Sequence, residues 1–265
     1  MSTNRGQDQG STTLEAEGGI NSDRVGRMFD VLELLVGHRE GMTVTEISRR
    51  LELPISSVHN MLQRLVASDL VVMSAGPRYS VGGRLVRLGI RVVDGLEIRS
   101  VARKPLQELA RTIDDDVYLA VRLGLRVVYV DRIQGSRAIS VDIRLGQDLS
   151  LHATAVGKLF SAYDERCRRR ALASSLPRLT PHTITDPVKL EGELDRIKVA
   201  GYALSSEEGA MGIGGVAVPV LDISNEIVGA IHVSSLVGLL TKNRIQDIVA
   251  ATRESAWVIE RALGR

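Results

Sequence analysis

The chain has 265 residues, 44% hydrophobic and 25% charged but only 3% aromatic, the balance of a two-domain soluble protein with an aliphatic core. A single cysteine, Cys167, excludes an internal disulfide, and no apolar run reaches membrane-spanning length or forms a signal core, so a cytoplasmic protein without membrane contact is expected. The net charge of +2 is unevenly placed: residues 24–104 hold 13 Lys and Arg against 8 Asp and Glu, residues 105–265 hold 20 of each, and residues 1–23 hold one against four. Surplus positive charge in one segment is the footprint of phosphate binding. It is modest, so a dimer presenting two such surfaces is expected.

Residues 1–21 are polar and glycine-rich and read as a disordered tail, too acidic for a basic minor-groove arm. A helix over residues 22–37, capped by Ser22, has Val25, Met28, Phe29, Leu32 and Leu35 as its apolar stripe. Residues 43–81 have the layout of a winged helix-turn-helix. Thr43 and Glu46 form a capping box that opens a helix with Val44, Ile47 and Leu51 inward. Pro54 opens a second helix that buries Val58, Leu62, Leu65 and Val66. The opposite face offers Ser56, Ser57, His59, Asn60 and Gln63, short hydrogen-bonding side chains of the kind that read base edges and phosphates. Two strands around 70–73 and 78–81 make the wing, with Arg78 placed to reach a phosphate. Thr43, Arg64 and Arg78 join the polar face as candidate DNA contacts. A helical hairpin buried in a larger core would not spend a whole face on such residues.

Residues 84–95 read as a basic amphipathic linker helix with Leu85, Leu88 and Val92 on one face, interrupted at Asp94 and Gly95. A further helix is expected over 96–112. Beyond Asp114 the pattern turns to period two. Residues 117–121 and 126–130 flank Gly124 as a hairpin, 138–143 is a third strand, and 216–220 with 227–233 form another antiparallel pair. Helices are expected over 154–170, from Asp186 to Gly201, and from Thr241 to near the C-terminus. Antiparallel strands with helices at the edges make residues 96–265 an α+β domain. The glycine-rich run 209–215 lacks the Lys-Ser/Thr of a phosphate loop and reads as a flexible pocket lid.

Four stretches in this order resemble the IclR family of transcriptional regulators: RMFDVLELL at 27–35, LPISSVHNML at 53–62, LHATAVGK at 151–158, and GYALSSEE at 201–208 leading to VAVPV at 216–220. The resemblance spans residues 22–262. It implies a winged helix-turn-helix at 22–83 and a GAF-like effector-binding domain at 96–265, joined by the linker helix. It also implies dimers or tetramers on double-stranded operator DNA and a small-molecule effector, an organic or aromatic acid, with no cofactor. Two departures stand out: Ile55 follows the proline where members often carry a basic residue, and Asn60 stands where many have Arg.

Carried over from the resemblance, the effector cup comprises Val141, Ala155, Val156, Ser205, Ile213, Gly215, His232 and Ser234. The backbone N–H groups opening the helix at Ala155 suit a carboxylate. Relatives sensing small carboxylates have Asp, Cys and Ser where this chain has Ser205, Gly215 and His232. Glycine is expected to enlarge the cup and histidine to add a donor, or a cation below about pH 6.5. A satisfied strand histidine is the equal alternative for His232, and His152 reads as a loop-fixing residue. The runner-up function is a small-molecule enzyme carrying a helix-turn-helix-like domain. Cys167 has no histidine nearby in sequence, and the five His and one Cys show no metal-ligand spacing, so neither a nucleophile nor a metal or redox centre is expected. The basic run Arg166 to Arg170 reads as a solvated face or an oligomer contact.

Overall fold

The computed structural model describes residues 18–74, 76–137, 143–173 and 175–264, with side chains from Arg24 onward. The expected strand over 138–143 lies almost wholly outside them, as do Val141 and residues 1–17 of the expected tail. The chain divides into two compact units at Val92/Val93.

In the first unit, α1 (Gly18–Val36), α2 (Val44–Leu51) and α3 (Ile55–Ala67) enclose a core of Val31, Leu35, Ile47, Val58, Leu62 and Leu65. The turn between α2 and α3 is made by Glu52 in the left-handed region at φ 54°, while Ser48 Oγ donates to the Leu53 carbonyl. The wing is β2 (Val71–Met73) and β3 (Arg78–Val81), and β1 (Met42–Thr43) adds a third strand in the order β1-β3-β2. The helix α4 (Gly83–Asp94) follows.

Several local expectations shift. The first helix starts at Gly18 rather than Ser22, so residues 18–21 are helix and not tail. Once Val31, Leu32 and Leu35 dock the far end, further turns propagate cheaply. Val25 and Phe29 are exposed, because α1 outruns the small core and its early turns have nothing in this unit to pack on. Pro54 is the cap of α3 and Ile55 its first residue. Met61, not Val66, completes the buried stripe, the i, i+3, i+4, i+7 spacing falling on Val58, Met61, Leu62 and Leu65.

The second unit is a five-stranded antiparallel sheet in the order β5-β4-β8-β7-β6, built from β4 (Asp116–Leu123), β5 (Arg126–Ile133), β6 (Ala203–Ser206), β7 (Ile213–Leu221) and β8 (Ile227–Leu236). Helices cover both faces rather than the edges. The helices α5 (Glu97–Ile113) and α9 (Lys242–Ala262) pack on the side of Val117, Leu119, Val216, Ile231 and Val233. On the side of Tyr118, Ala120, Tyr129 and Ala217 lie α6 (Ala155–Tyr163), α7 (Glu165–Ala173) and α8 (Pro187–Ala200). Period two therefore sorts residues between two cores, not between core and water. Pro219 is tolerated in β7 because β6 stops pairing at Ala217, leaving no ladder bond for it to lose on that edge.

The expected helix over 154–170 is broken at Asp164, whose carboxylate accepts from the backbone N–H groups of Arg166 and Cys167 at 2.9 Å and so caps α7. That turns Cys167 inward. Arg168 in the basic run pairs with Asp195 at 2.7 Å and Glu191 at 3.5 Å, tying α7 to α8.

Candidate DNA-binding face and effector cup

Helix α3 presents Ser56, His59, Asn60, Gln63 and Arg64 to solvent on one face, with Ser57 half-buried at its margin. Aliphatic packing on the other side fixes that face outward. Thr43 and Arg78, expected at the same interface, are first of all part of the scaffold. The capping box forms: Glu46 N donates to Thr43 Oγ1 at 3.2 Å, and Thr43 N donates back to Glu46 Oε2 at 2.7 Å. Bonds from the Thr43 backbone and hydroxyl hold the Glu46 carboxyl below the usual carboxylate range. Arg78 Nη1 donates to the Gly41 carbonyl at 2.8 Å and lies 3.5 Å from Glu46 Oε2, buttressing the wing against the entry to α2. Sequence reasoning missed the cleft this creates, about 590 Å³ in volume and lined by His38, Arg39, Glu46, Arg49, Arg50 and Arg78. The available signal was the Arg49-Arg50 pair ending α2.

Helix α4 has no buried residue; its Val86, Leu88, Ile90 and Val92 are all exposed. Arg87 pairs with Asp69 at 3.5 Å, and Arg84 donates to the Ser68 carbonyl at 3.2 Å, so its first turn is tied to the end of α3.

In the second unit, the register aligns Ser205, Gly215 and Ser234 in one row across β6, β7 and β8, and Ala203, Ala217, His232 and Tyr118 in the next row on the same face. Ala155 and Val156, at the start of α6, are buried against this face beside Tyr118, Tyr129 and Ala217. Ile213 is half-buried, two residues upstream of Gly215 on the same strand. Thr154 caps α6 by accepting from Gly157 N at 2.9 Å. Gly157 is obligatory, because a Cβ there would stand 2.0 Å from the Ser150 carbonyl oxygen, so the loop before α6 can lie directly on the helix.

Two expectations about the cup fail on geometry. Gly215 does not enlarge it: the imidazole of His232 fills the space, and a Cβ at Gly215 would fall 2.2 Å from His232 Nε2. Nor does His232 become a cation just below pH 6.5, since burial drives its pKa down to about 3. The run 209–215 is no flexible lid either. Glu207 Oε1 accepts from Gly212 N at 2.7 Å, Thr180 donates to the Glu207 carbonyl at 2.6 Å and Thr183 to the Glu208 carbonyl at 2.7 Å, while Ile213 to Gly215 already belong to β7.

Period two puts Tyr118 and Tyr129 each on one face of its own strand, but nothing in the sequence signals that they meet His232 or that the following groups pair. Asp116, buried at the head of β4, pairs with Arg132 at 3.0 Å and accepts from Gly135 N at 2.8 Å. Lys158, only 1% exposed, donates to Glu208 Oε1 at 2.7 Å and lies 3.4 Å from Glu193. This buried pair joins α6 to the β6–β7 connection. His152 fixes a loop, its ring bridging Ser150 Oγ and the Pro177 carbonyl at 3.0 Å each. Cys167 is buried and its thiol pushed up to about 11, which suits packing rather than nucleophilic attack. Among the described residues no cluster of His, Cys, Asp or Glu is arranged to hold a metal ion, and no helix is long and apolar enough to cross a membrane.

A helix-turn-helix with an outward polar face, followed by a unit with helices on both faces of an antiparallel sheet, is the arrangement of a ligand-responsive DNA-binding transcriptional regulator. The comparisons with known proteins agree. Residues 25–73 match the IclR helix-turn-helix domain, and residues 90–261 match the C-terminal domain of bacterial transcriptional regulator IclR. The glycerol operon regulatory protein of Streptomyces coelicolor is 32% identical over 250 residues, covering 92% of this chain and 97% of that one. An IclR transcriptional regulator from Alicyclobacillus acidocaldarius superimposes with a TM-score of 0.79 at 28% identity, over 90% of this chain and 98% of that one. An IclR homologue from Microbacterium hydrocarbonoxydans complexed with 4-hydroxybenzoate gives 0.78 at 26% identity, over the same 90% and 98%. The chain belongs to the IclR family.

Proposed function

We propose that this regulator controls a catabolic operon from the cytoplasm, binding operator DNA as a homodimer or homotetramer and releasing or reshaping it when a small organic or aromatic acid enters the cup. The observation that carries the reading is the α3 face, where Ser56, Ser57, His59, Asn60, Gln63 and Arg64 lie opposite the buried Val58, Met61, Leu62 and Leu65. Side chains of this kind hydrogen-bond base edges and phosphates, while Thr43 and Arg78 hold the neighbouring wing and helix entry in place. The effector would meet Ala155, Val156, Ser205, Ile213, Gly215, His232 and Ser234. The bound acid in the Microbacterium relative supports an aromatic acid of similar size.

A second copy would cover the exposed apolar residues of α4 and the exposed Val25 and Phe29 of α1. Residues 84–95 would then link residues 22–83, the DNA-binding part, to residues 96–265, the effector part, and carry a coupling on the order of 1–3 kcal/mol. Fluorescence anisotropy on the protein's own promoter, with and without a panel of organic acids, tests the proposal. Salt-sensitive binding to that promoter, altered by at least one acid, is expected. A folded protein that binds no double-stranded DNA at any salt concentration overturns it.

A further inference from the structure

His232 on the floor of the cup is 6% exposed and held on both edges. Its Nδ1 lies 2.7 Å from the Tyr129 hydroxyl, and the two rings are 17° from parallel with centroids 5.6 Å apart. Tyr118 backs Tyr129 at 4.7 Å between centroids. On the other edge Nε2 leans over Gly215, in the space a side chain there would fill. Nε2 has no hydrogen-bond partner among the described residues. Next to it in register, Ser234 pairs with Gly215 across β7 and β8. Ser234 is 2% exposed, and its Oγ is buried with no partner among the described residues. Ser234 Oγ is thus a buried polar group without a partner, and the Nε2 edge of His232 lies on the same face beside it. Such groups in a native protein are commonly waiting for a ligand or a water.

The proton on Nε2 follows from Tyr129. A phenol hydroxyl is a good donor and a poor acceptor, and an unprotonated imidazole nitrogen is a good acceptor. The hydroxyl therefore donates to Nδ1, and the ring proton resides on Nε2. Burial keeps both groups neutral, raising the Tyr129 phenol well above its ordinary value and lowering the His232 imidazole.

We infer that Tyr129 is a positioning residue that locks His232 as a neutral Nε2–H donor, and that His232 and Ser234 together take an acceptor oxygen of the effector, the carbonyl or carboxylate oxygen of an organic acid. The lock stands on its own; the acceptor half rests on the effector reading above. Gly215 is part of the device, because any larger residue there would evict the ring.

The test uses the full-length protein with 15N-labelled histidine, the His232 signals being identified by their absence in His232→Gln. Two-bond 1H–15N spectra at neutral pH should show the Nε2–H tautomer dominating in the wild type and a mixture of tautomers in Tyr129→Phe, which keeps the ring and loses only the hydroxyl. An Nδ1–H tautomer in the wild type, or an unchanged one in Tyr129→Phe, overturns the lock. Benzoate, 4-hydroxybenzoate and pyruvate are then titrated in turn. At least one should move the His232 Nε2 resonance, and Tyr129→Phe and Ser234→Ala should each weaken that acid about fivefold or more. If none moves it, or both variants bind as tightly as the wild type, the acceptor half is overturned. Promoter affinity without acid is measured alongside on the wild type. Its absence from the wild type would count against the regulator reading instead.

Discussion

Replacing Gly215 by alanine should destabilise the second unit through the His232 ring and the neighbouring Val233 carbonyl. The added Cβ would stand 2.2 Å from His232 Nε2 and 2.6 Å from the Val233 carbonyl oxygen. Both distances are far inside van der Waals contact. The ring has to move by more than an ångström, which breaks its 2.7 Å bond to the Tyr129 hydroxyl. Forcing a methyl into a filled space costs about 1–3 kcal/mol, and leaving the Tyr129 and His232 polar atoms buried and unpaired costs about 1–3 kcal/mol more. Replacing a strand glycine returns roughly 0.5–1 kcal/mol of chain entropy. The net expected loss is about 1–5 kcal/mol. Trp257, the only tryptophan, sits on α9 and reports unfolding of this unit in a urea titration. Removing the ring should relieve the side-chain part of the clash, while the contact with the Val233 carbonyl remains. Gly215→Ala with His232→Ala should therefore cost less than the sum of the two single changes, by about 1.5 kcal/mol or more. Strict additivity, or a loss below about 1 kcal/mol in Gly215→Ala alone, would refute the account.

Three further outcomes follow from the same geometry. The His232 imidazole has its pKa lowered in the folded protein to about 3, so below about pH 6.5 the unfolded chain binds the proton the native one refuses. Stability that is present above that pH is lost as pH falls towards 3, at up to about 1.4 kcal/mol per pH unit; urea midpoints of wild type and His232→Gln between pH 7 and 5 should converge. Lys158→Met leaves Glu208 as a buried, unpaired carboxylate and should cost about 3–5 kcal/mol, with Lys158→Met/Glu208→Leu recovering much of it; equal unfolding midpoints for the single and double variants would contradict that assignment. Arg64, exposed on α3, should contribute chiefly by charge: Arg64→Gln should lower the slope of log affinity against log salt by about 1 across unrelated sequences, and anisotropy titrations on specific and random duplexes check it.

Signals confined to a few neighbouring residues are legible in the amino-acid sequence alone. The Thr43 and Glu46 capping box, the Asp186 cap and the Thr241 cap all form. Each satisfies backbone donors within one turn, so the residues that do the work stand two or three apart in the chain. The apolar stripe of α3 is legible for the same reason, because helix geometry alone decides which side chains share a face. Charge by segment and the four motif stretches point to the family. Two local readings shift: Asp164 caps a new turn through Arg166 and Cys167 and splits one expected helix into α6 and α7, and α1 outruns the core that was to bury Phe29.

The chain order by itself determined the two-unit plan, the polar outward face of α3 and the caps, because these depend on period and on neighbours a turn away. Only the tertiary structure decided that both sheet faces are buried, that the His232 ring occupies the space above Gly215, and that Lys158 pairs with Glu208. His232 meets Tyr129 across 103 positions and Lys158 meets Glu208 across 50. No periodicity encodes such meetings; strand register and the desolvation that forces buried polar groups to find one another bring them about.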